Sequence, residues 1–321
     1  MLLIQYLFLW SLALSTFITL SASVPLYAWA ALEVNTIAFI PIILDPSKPE
    51  RVRAAIKYFF IQAYASLIFL IGPLLWHVPE IAVFLAMIIK LGISPFHNWY
   101  PSVISNLNWP SAFFISTWQK IAPLWILREN TVNTHLVAPL AALNAIVGGL
   151  GGLIQTEIRP LLAFSSIGHI GWVIFRIPLS VLVILIYFIS YTLHLGVLIY
   201  LFYINKTNTP KDISSSNLIP GQVKATVALT LLSLGGIPPL LGFIPKFIII
   251  LVRAPLFLPP LFLILGSYIN IYYYISIIWV PLITSPQPIL PSLAIKGVAT
   301  LTLFIVSRLA LILICGLNIH L

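Results

Sequence analysis

The sequence predicts an all-α polytopic membrane protein that crosses the bilayer about eleven times. Two observations lead to this prediction. Of the 321 residues, 60% are hydrophobic and only 7% are charged, whereas a soluble domain carries roughly 25% charged residues. The apolar residues also form runs long enough to cross a hydrocarbon core of about 30 Å. A chain with so little charge cannot cover its surface for water, which excludes a large soluble core.

Eleven hydrophobic runs follow one another along the chain. They cover residues 2–22, 25–44, 54–75, 80–101, 109–127, 134–153, 157–175, 179–203, 223–252, 256–280 and 297–318. The first run begins almost at once and has no basic segment before it, so we expect a permanent helix rather than a cleaved signal. We therefore expect a single transmembrane domain over residues 1–321.

Basic residues in the loops predict the orientation. The loops at 45–53, 96–108, 153–159, 204–224 and 281–296 share one side and carry Lys48, Arg51, Arg53, Arg159, Lys206, Lys211, Lys224 and Lys296. The opposite loops carry only Arg128, Arg176 and Arg253. The positive-inside rule places the first side in the cytoplasm or in the matrix of an organelle of bacterial descent. The N-terminus is then inside and the C-terminus outside. The basic residues form no stripe of the kind that binds nucleic acid.

No cofactor or metal is expected on this chain. Its one cysteine, Cys315, cannot make a disulfide framework or hold an iron–sulfur cluster, and we interpret it as an inert apolar side chain. The sequence contains no dinucleotide-binding glycine motif after a strand and no metal-ligand spacing.

Two of the runs are interrupted by the same pattern, a glycine followed by prolines three and nine residues later. The residues are Gly92, Pro95 and Pro101 in one run and Gly236, Pro239 and Pro245 in the other, where Pro238 adds a further break. Proline breaks a helix, and the freed backbone groups must be covered by protein or water inside a membrane. Paired interruptions of this kind indicate a transport pathway. Chance recurrence in a proline-rich apolar chain is the alternative, but the shared spacing and the adjacent lysines argue against it.

Ionisable residues within the runs are the second indication of transport. Glu33 is the one acid well inside a run, and the basic residues are Lys57, Lys90, Lys120, Lys246 and Arg308. A charge at mid-membrane costs roughly 2.5–3.5 kcal/mol, so such residues usually face water or a partner. Dry surroundings disfavour a charged lysine and a nearby carboxylate restores it. Pairing and unpairing of Glu33 with a lysine would then control proton uptake and release.

These considerations make Glu33, Lys90, Lys120 and Lys246 a candidate proton relay. The alternative for each is a structural ion pair or a side chain that extends to the membrane surface. The surface alternative is favoured for Lys57, which follows an arginine-rich loop. Arg308 is interpreted as structural because a guanidinium does not release its proton.

Three histidines and a glycine pair complete the candidates. His169 and His194 lie inside runs and could join the relay, and His97 lies at the first break. At each of these positions, a purely structural role for the histidine is as good an interpretation as a role in proton transfer. Gly148 and Gly152 form a Gly-x-x-x-Gly pair, which predicts close helix packing.

Several segments resemble the subunit 2 family of mitochondrial NADH:ubiquinone oxidoreductase, respiratory complex I. They are residues 32–35, 57–66, 90–97, 118–123, 165–172 and, in the second half, 235–243. The match runs in register from about residue 30 to 175, and the last third is only generically hydrophobic. The family is similar to cation/proton antiporter subunits with two inverted five-helix repeats, each containing a broken helix.

The resemblance implies a division of the chain and roles for its charges. The first repeat would cover residues 1–127, truncated at its N-terminus by three helices relative to bacterial relatives. The second would cover 134–252, with C-terminal helices in 253–321. Glu33 and Lys90 match the family's Glu–Lys pair, Lys120 its central lysine and Lys246 the lysine of the second half-channel.

The resemblance also implies partners and a location. The partners would be other membrane subunits of complex I, including adjacent antiporter-like subunits, with lipids filling the face left by the missing helices. NADH, FMN, iron–sulfur clusters and ubiquinone would belong to partner subunits. The location would be the mitochondrial inner membrane, with the N-terminus on the matrix side and the C-terminus on the intermembrane-space side. A free-standing cation/proton antiporter and a structural spacer stay open as alternatives, although a lone transporter without those helices would expose its first repeat to lipid.

Overall fold

The computed structural model describes residues 2–72, 79–130, 134–177, 181–215, 221–251 and 258–284. Within these ranges the regular structure is entirely helical. The predicted run at 297–318, with Arg308 and Cys315, lies outside the described residues, as do Arg253 and Lys296.

Most helices follow the predicted runs, but one short helix, Pro210–Ser215, lies within the predicted loop at 204–224. Those in the described ranges are α1 (Leu2–Ser21), α2 (Pro25–Ile43), α3 (Pro49–Ile71), α4 (Pro79–Leu91), α5 (Trp99–Ile104), α6 (Trp109–Ser116), α7 (Trp118–Glu129), α8 (Thr134–Leu153), α9 (Ile158–Arg176), α10 (Val181–Ile204), α11 (Pro210–Ser215), α12 (Gly221–Gly235), α13 (Phe243–Leu251) and α14 (Leu258–Thr284). Six of these, α2, α3, α8, α9, α10 and α14, contain a segment long and apolar enough to cross a membrane. Shorter apolar segments lie in α1 and α12.

Three predicted runs are pairs of shorter helices. The pairs α4–α5 and α12–α13 flank the two predicted glycine–proline breaks. The pair α6–α7 corrects the prediction of a single span over 109–127. The chain leaves the helical conformation at Thr117, where φ is −120° and ψ is −76°. This third break lies three residues before Lys120.

Helix α9 lies at the centre of the bundle. Its membrane segment is 89% buried, whereas the other five candidate spans are 33–50% buried. A Cβ atom at Gly148 of α8 would lie 2.6 Å from the backbone nitrogen of Gly168 in α9. A Cβ atom at Gly152 would lie 2.7 Å from the Tyr273 ring of α14. The predicted close packing at this glycine pair is therefore confirmed.

The outer surface is apolar. Trp10, Phe60 and Leu182 are 68%, 66% and 71% exposed, and most helices present similar residues outwards. A water-soluble domain does not display apolar surface on this scale. The described fold therefore has lipid as its solvent.

Four of the predicted inner loops meet at one end of the bundle. The guanidinium of Arg159 donates to the carbonyls of Ser105 at 3.1 Å and Leu107 at 3.0 Å. The N–H of Ile158 donates to the carbonyl of Asn208 at 3.0 Å. Arg51 donates to the side chain of Asn108. These bonds join the loops at 45–53, 96–108, 153–159 and 204–224, as the sequence predicted, while the fifth loop extends beyond residue 284.

Candidate functional site

The two predicted breaks have the same backbone geometry. Helices α4 and α12 are each followed by a glycine in the left-handed region, Gly92 with φ +67° and Gly236 with φ +89°. The N–H of Ile93 returns to the carbonyl of Ile88 at 3.0 Å, and the corresponding bond after Gly236 spans 3.5 Å. This is the Schellman motif, in which a left-handed glycine satisfies the last carbonyls of a helix. The shared sequence pattern therefore corresponds to a shared structure.

Lys246, on α13, reaches back to the end of α12. Its Nζ donates to the carbonyl oxygens of Gly235 at 2.6 Å and Leu234 at 3.1 Å. The last carbonyls of a helix lack intrahelical partners and carry partial negative charge, so an ammonium group fits there. A Cβ atom at Gly236 would lie 2.9 Å from Cδ and Nζ of Lys246. Glycine at this position therefore allows both the backbone conformation and the lysine contact.

Neutral side chains cover the backbone at the first break. Gln62 donates from Nε2 to the carbonyl of Lys90 at 3.2 Å, and Trp99 donates from Nε1 to the carbonyl of Ile89 at 3.1 Å. Asn144 of α8 accepts from the N–H of Ser94 at 2.9 Å. The sequence did not identify Trp99 and Asn144 as supports of the break, because they lie 7 and 52 residues from Gly92 with no recognisable spacing.

A small cavity joins Lys90 to Lys120. Its volume is about 10 Å³ and its lining includes Asn35, Gln62 and Gln119, which is close to the minimum space for one water molecule. Among the described residues, Lys90 Nζ, Asn35 Oδ1 and Gln119 Nε2 are buried without a hydrogen-bond partner. A buried water needs two to four polar partners. The cavity thus offers both the space and the polar groups for a water between the two lysines.

Lys120 lies just after the unpredicted break and bonds to the centre of the bundle. Its Nζ donates to Ser166 Oγ on α9 and lies 4.5 Å from the ring centre of Tyr100. Ser166 is also hydrogen-bonded to the hydroxyls of Tyr100 at 3.0 Å and Tyr191 at 2.8 Å. Lys120 is 3% exposed. Its polar neighbours are hydroxyl groups, which can both donate and accept a proton.

One side of α9 connects the two halves of the site. The side chains that recur at three- or four-residue spacing are Ser166, His169, Trp172 and Arg176. His169 Nδ1 is 2.7 Å from the hydroxyl of Tyr187, and its Nε2 has no partner among the described residues. The Trp172 ring centre is 5.9 Å from Lys246 Nζ. On α9, His169 lies one turn after Ser166, which Lys120 contacts, and one turn before Trp172, which lies near Lys246.

Arg176 has a role that the sequence did not reveal. It was assigned to an outer loop, yet it ends α9 and is only 1% exposed. Its Nε and Nη2 donate to the carbonyl of Ile249 at 3.0 and 2.5 Å. Ile249 lies one turn after Lys246 on α13. Arg176 therefore fixes the short helix that carries Lys246.

His194 and Lys57 are placed differently from the buried lysines. His194 Nδ1 is 2.6 Å from the carbonyl of Ser190, and its Nε2 is 2.7 Å from Ser233 Oγ. Ser233 accepts in turn from the N–H of Gly242 at 3.1 Å, which ties His194 to the second break. Lys57 is exposed and donates to Ser102 at 2.6 Å, as expected for a side chain that extends to the surface.

Glu33 is near Lys90 but makes no ion pair with it. The ion pairs within the described ranges include Arg51–Asp45 and Arg128–Glu129, and none joins Glu33 to Lys90. Glu33 is half-exposed, and its carboxylate accepts from the hydroxyl of Thr36 at 3.3 Å. It is within electrostatic range of Lys90. The structure therefore shows Glu33 and Lys90 separated, without a direct ion pair.

The described residues offer no place for a metal, since no three His, Cys, Asp or Glu side chains among them converge on one point. His97, at the first break, is half-buried, with its ring centre 6.3 Å from that of Phe164. Among the described residues, His97 forms no hydrogen bond with Lys90, Lys120 or Lys246, so it lies beside the candidate path.

Broken helices around buried lysines define a polytopic membrane protein of the antiporter-like class. Residues 74–269 match the transmembrane family described as NADH:quinone oxidoreductase/Mrp antiporter, TM. Within this class, the chain belongs to the family of NADH-ubiquinone oxidoreductase chain 2. Chains of that name are 36% identical in Xenopus laevis, over 86% of this chain and 85% of the relative, and 35% identical in Genetta servalina, over 84% and 83%. The chain from Locusta migratoria is 34% identical over 85% and 84%. The predicted family is confirmed.

Solved structures show the same fold. A chain of respiratory complex I from Thermus thermophilus with bound aureothin superimposes with a TM-score of 0.83 at 24% identity, covering 98% of this chain and 79% of that one. A chain of the Mrp complex from Dietzia sp. DQ12-45-1b gives a TM-score of 0.75 at 17% identity, covering 86% and 60%. These likenesses confirm the predicted antiporter-like fold.

Proposed function

We propose that this chain is a core membrane subunit of a respiratory NADH:ubiquinone oxidoreductase and provides a proton pathway through Lys90, Lys120, His169 and Lys246. One observation carries the proposal. The three lysines are buried along the centre of the bundle, and none forms an ion pair with a described carboxylate. A purely structural lysine in a dry interior needs a fixed counter-ion, whereas a proton carrier needs neighbours that exchange protons.

The pathway has two connected parts. A water in the small cavity would link Lys90 to Lys120, since both line it together with unpaired amide groups. From Lys120 the hydroxyl of Ser166 continues to Tyr191, whose ring centre is 5.0 Å from that of His169. Hydroxyl and imidazole groups can accept one proton while they release another. This arrangement supports proton movement along α9.

Lys246 would complete the path at the second break. Its Nζ lies 5.9 Å from the ring centre of Trp172, which is one turn from His169 on α9. The last step would therefore run from His169 to Lys246 beside this ring. Arg176 would act as a positioning residue, because it fixes α13 without reaching the lysine itself.

Glu33 would control the entry to Lys90. The separated arrangement in the structure leaves Lys90 without a counter-ion, and a direct pair would stabilise its charged form. His194 we assign to support of the second break, because its Nε2 is hydrogen-bonded to Ser233, which also accepts from the N–H of Gly242. Lys57 we assign to the surface.

The family also supports a location, an assembly and a division of the chain. We place the subunit in the mitochondrial inner membrane, with the basic loops and the N-terminus on the matrix side. Its partners would be neighbouring antiporter-like subunits and the lipids of the membrane. NADH, FMN, iron–sulfur clusters and ubiquinone would be bound by other subunits. Residues 1–127 and 134–252 would form two inverted repeats, followed by the helices of 253–321.

Replacing Lys120 with alanine tests the pathway. Assembly should persist, while the rate of NADH-driven proton pumping should fall at least about tenfold, since loss of a positioned proton-transfer group typically slows the transfer 100-fold or more and water can replace part of it. Proton uptake into vesicles and blue native electrophoresis measure the two properties. Lys57→Ala is the matched control and should pump normally.

A Lys120→Ala enzyme that pumps as well as Lys57→Ala would refute the pathway. A separate measurement tests the subunit assignment. The chain should co-purify with a large NADH-oxidising assembly, and a stable, active monomer that exchanges cations for protons would support the free-standing antiporter instead.

A further inference from the structure

A basic pocket opens at the end of the bundle where the four inner loops meet. Its volume is about 710 Å³. Four cationic side chains from three of these loops line it, namely Lys48, Arg51, Arg159 and Lys206. Glu50 is the one carboxylate among its described lining residues. The excess of positive charge makes the pocket a site for an anion, and it contains none of the residues of the proton pathway.

The two arginines of the basic pocket are held in place by the chain and still have donors to offer. Arg159 donates to the carbonyls of Ser105 and Leu107 and to Asn208, which uses three bonds of a group with five N–H donors. Arg51 donates to Asp45 at 2.6 Å and to Asn108. A guanidinium that is already ordered loses little entropy when it binds a phosphate.

The two lysines complete the basic pocket from its rim. Lys48 and Lys206 are exposed, and Lys206 has φ +52°, a left-handed conformation that few residues other than glycine adopt. Among the described residues, neither ammonium group donates a hydrogen bond to a side chain. Both are therefore available to a ligand.

The chemistry of the remaining wall favours a lipid over a free ion. Trp109 and Tyr203 line the basic pocket, and these residue types concentrate at membrane interfaces. Tyr203 and Ile204 are 56% and 54% exposed, and Tyr200, one turn earlier on α10, is 54% exposed. The wall therefore continues into an apolar helix face that leads from the pocket into the bilayer. A free phosphate ion would gain nothing from this apolar face, whereas the acyl chains of a lipid would pack against it.

We propose that the basic pocket binds the headgroup of an anionic phospholipid, with its phosphate against Arg51 and Arg159 and its acyl chains along the outer face of α10. Basic pockets between helices on the positively charged side of a membrane protein are suited to such headgroups. The volume of the basic pocket lies within the usual range for ligand sites, about 300–1,000 Å³. Four cations suit a lipid with two phosphates, which makes cardiolipin the appropriate probe.

The test uses the complete enzyme that contains this chain. The purified enzyme is stripped of lipid with detergent and titrated with a photoactivatable cardiolipin, and the crosslinked peptides are identified by mass spectrometry. We expect saturable labelling of peptides around Arg51, Trp109 and Tyr203. In the double variant Lys48→Gln, Lys206→Gln, the concentration for half-saturation should rise about 30-fold, which corresponds to about 1 kcal/mol for each lysine. These lysines are at the rim, so the variant should assemble normally.

The matched control is the double variant Arg53→Gln, Lys224→Gln. It loses the same charge from the same predicted side, but neither residue lines the basic pocket. We expect its labelling to match that of the unmodified enzyme. Equal weakening in both double variants would overturn the proposal, because it would show a general charge effect.

Three competitors distinguish the source of the phosphate. Unlabelled cardiolipin should abolish labelling, and phosphatidylcholine should not. Competition by inorganic phosphate at millimolar concentration as strong as that by cardiolipin would assign the pocket to a free anion and overturn the lipid proposal. Labelling that appears only after a neighbouring subunit is removed would show that a protein segment occupies the pocket, which would also overturn it. Each result is independent of whether Lys120→Ala abolishes pumping.

Discussion

Replacing Gly236 with alanine would place a methyl group against the side chain of Lys246. The new Cβ would lie 2.9 Å from Cδ and Nζ of the lysine, well inside normal contact. The residue would also keep φ +89°, and a left-handed conformation costs a non-glycine residue roughly 1–2 kcal/mol. Either the turn or the bonds from Lys246 to Leu234 and Gly235 must change.

The magnitude follows from this cost. A penalty of about 1–2 kcal/mol lowers the population of the arrangement with Lys246 bonded to α12 by about 5- to 30-fold relative to its alternatives. Proton pumping should fall within that range if the lysine must occupy this position. The enzyme should also lose activity at a lower temperature, because the end of α12 is less stable.

The assay compares Gly236→Ala with Gly196→Ala in the complete enzyme. Gly196 lies within α10, and a Cβ there would be 3.4 Å from the Phe113 ring, an ordinary contact. Pumping per NADH and residual activity after heating are measured for both. Normal pumping in Gly236→Ala, even with reduced heat stability, would refute the claim that the position of Lys246 matters for proton transfer. Equal losses in both variants would refute the argument from backbone conformation.

Two further substitutions test the supports of the pathway. Glu33→Gln keeps the hydrogen bond from Thr36 and removes the charge, so coupled turnover should fall in a fully assembled enzyme, and unchanged NADH-driven pumping would exclude the controlling role. Arg176→Lys can replace only one of the two bonds to Ile249. A charged hydrogen bond contributes about 1.5–3 kcal/mol, so heat stability and pumping should both drop, with a larger drop in Arg176→Met. Equal behaviour of these two variants and the unmodified enzyme would show that Arg176 does not position α13.

Local sequence signals predicted the two glycine–proline breaks. Gly92 and Gly236 carry their signal in the sequence because a left-handed helix end and nearby prolines each restrict the residue type at one position. The break at Thr117 carries no comparable signal, since threonine fits many backbone conformations. It was missed because the apolar run continues across it.

Local signals served less well for contacts between distant segments. The sequence identified Lys120 as buried but not its partner Ser166, 46 residues later. Arg176 resembles a loop residue in the sequence because it ends an apolar run, but it is buried in the structure, where α13 supplies the carbonyl that accepts its hydrogen bonds. Such contacts depend on how helices pack, which no spacing in the sequence records.

The sequence by itself determined the solvent of this protein, the side on which its loops gather, its family and the lysines that enter the membrane. These properties follow from the free energy of transfer of each segment, which composition fixes almost residue by residue. The tertiary structure decided that α9 joins Lys120 to Lys246, that Glu33 and Lys90 lie apart, and that four loops enclose a basic pocket. Those outcomes depend on the packing of helices far apart in the chain, where small residues such as Gly148 set how closely the backbones approach.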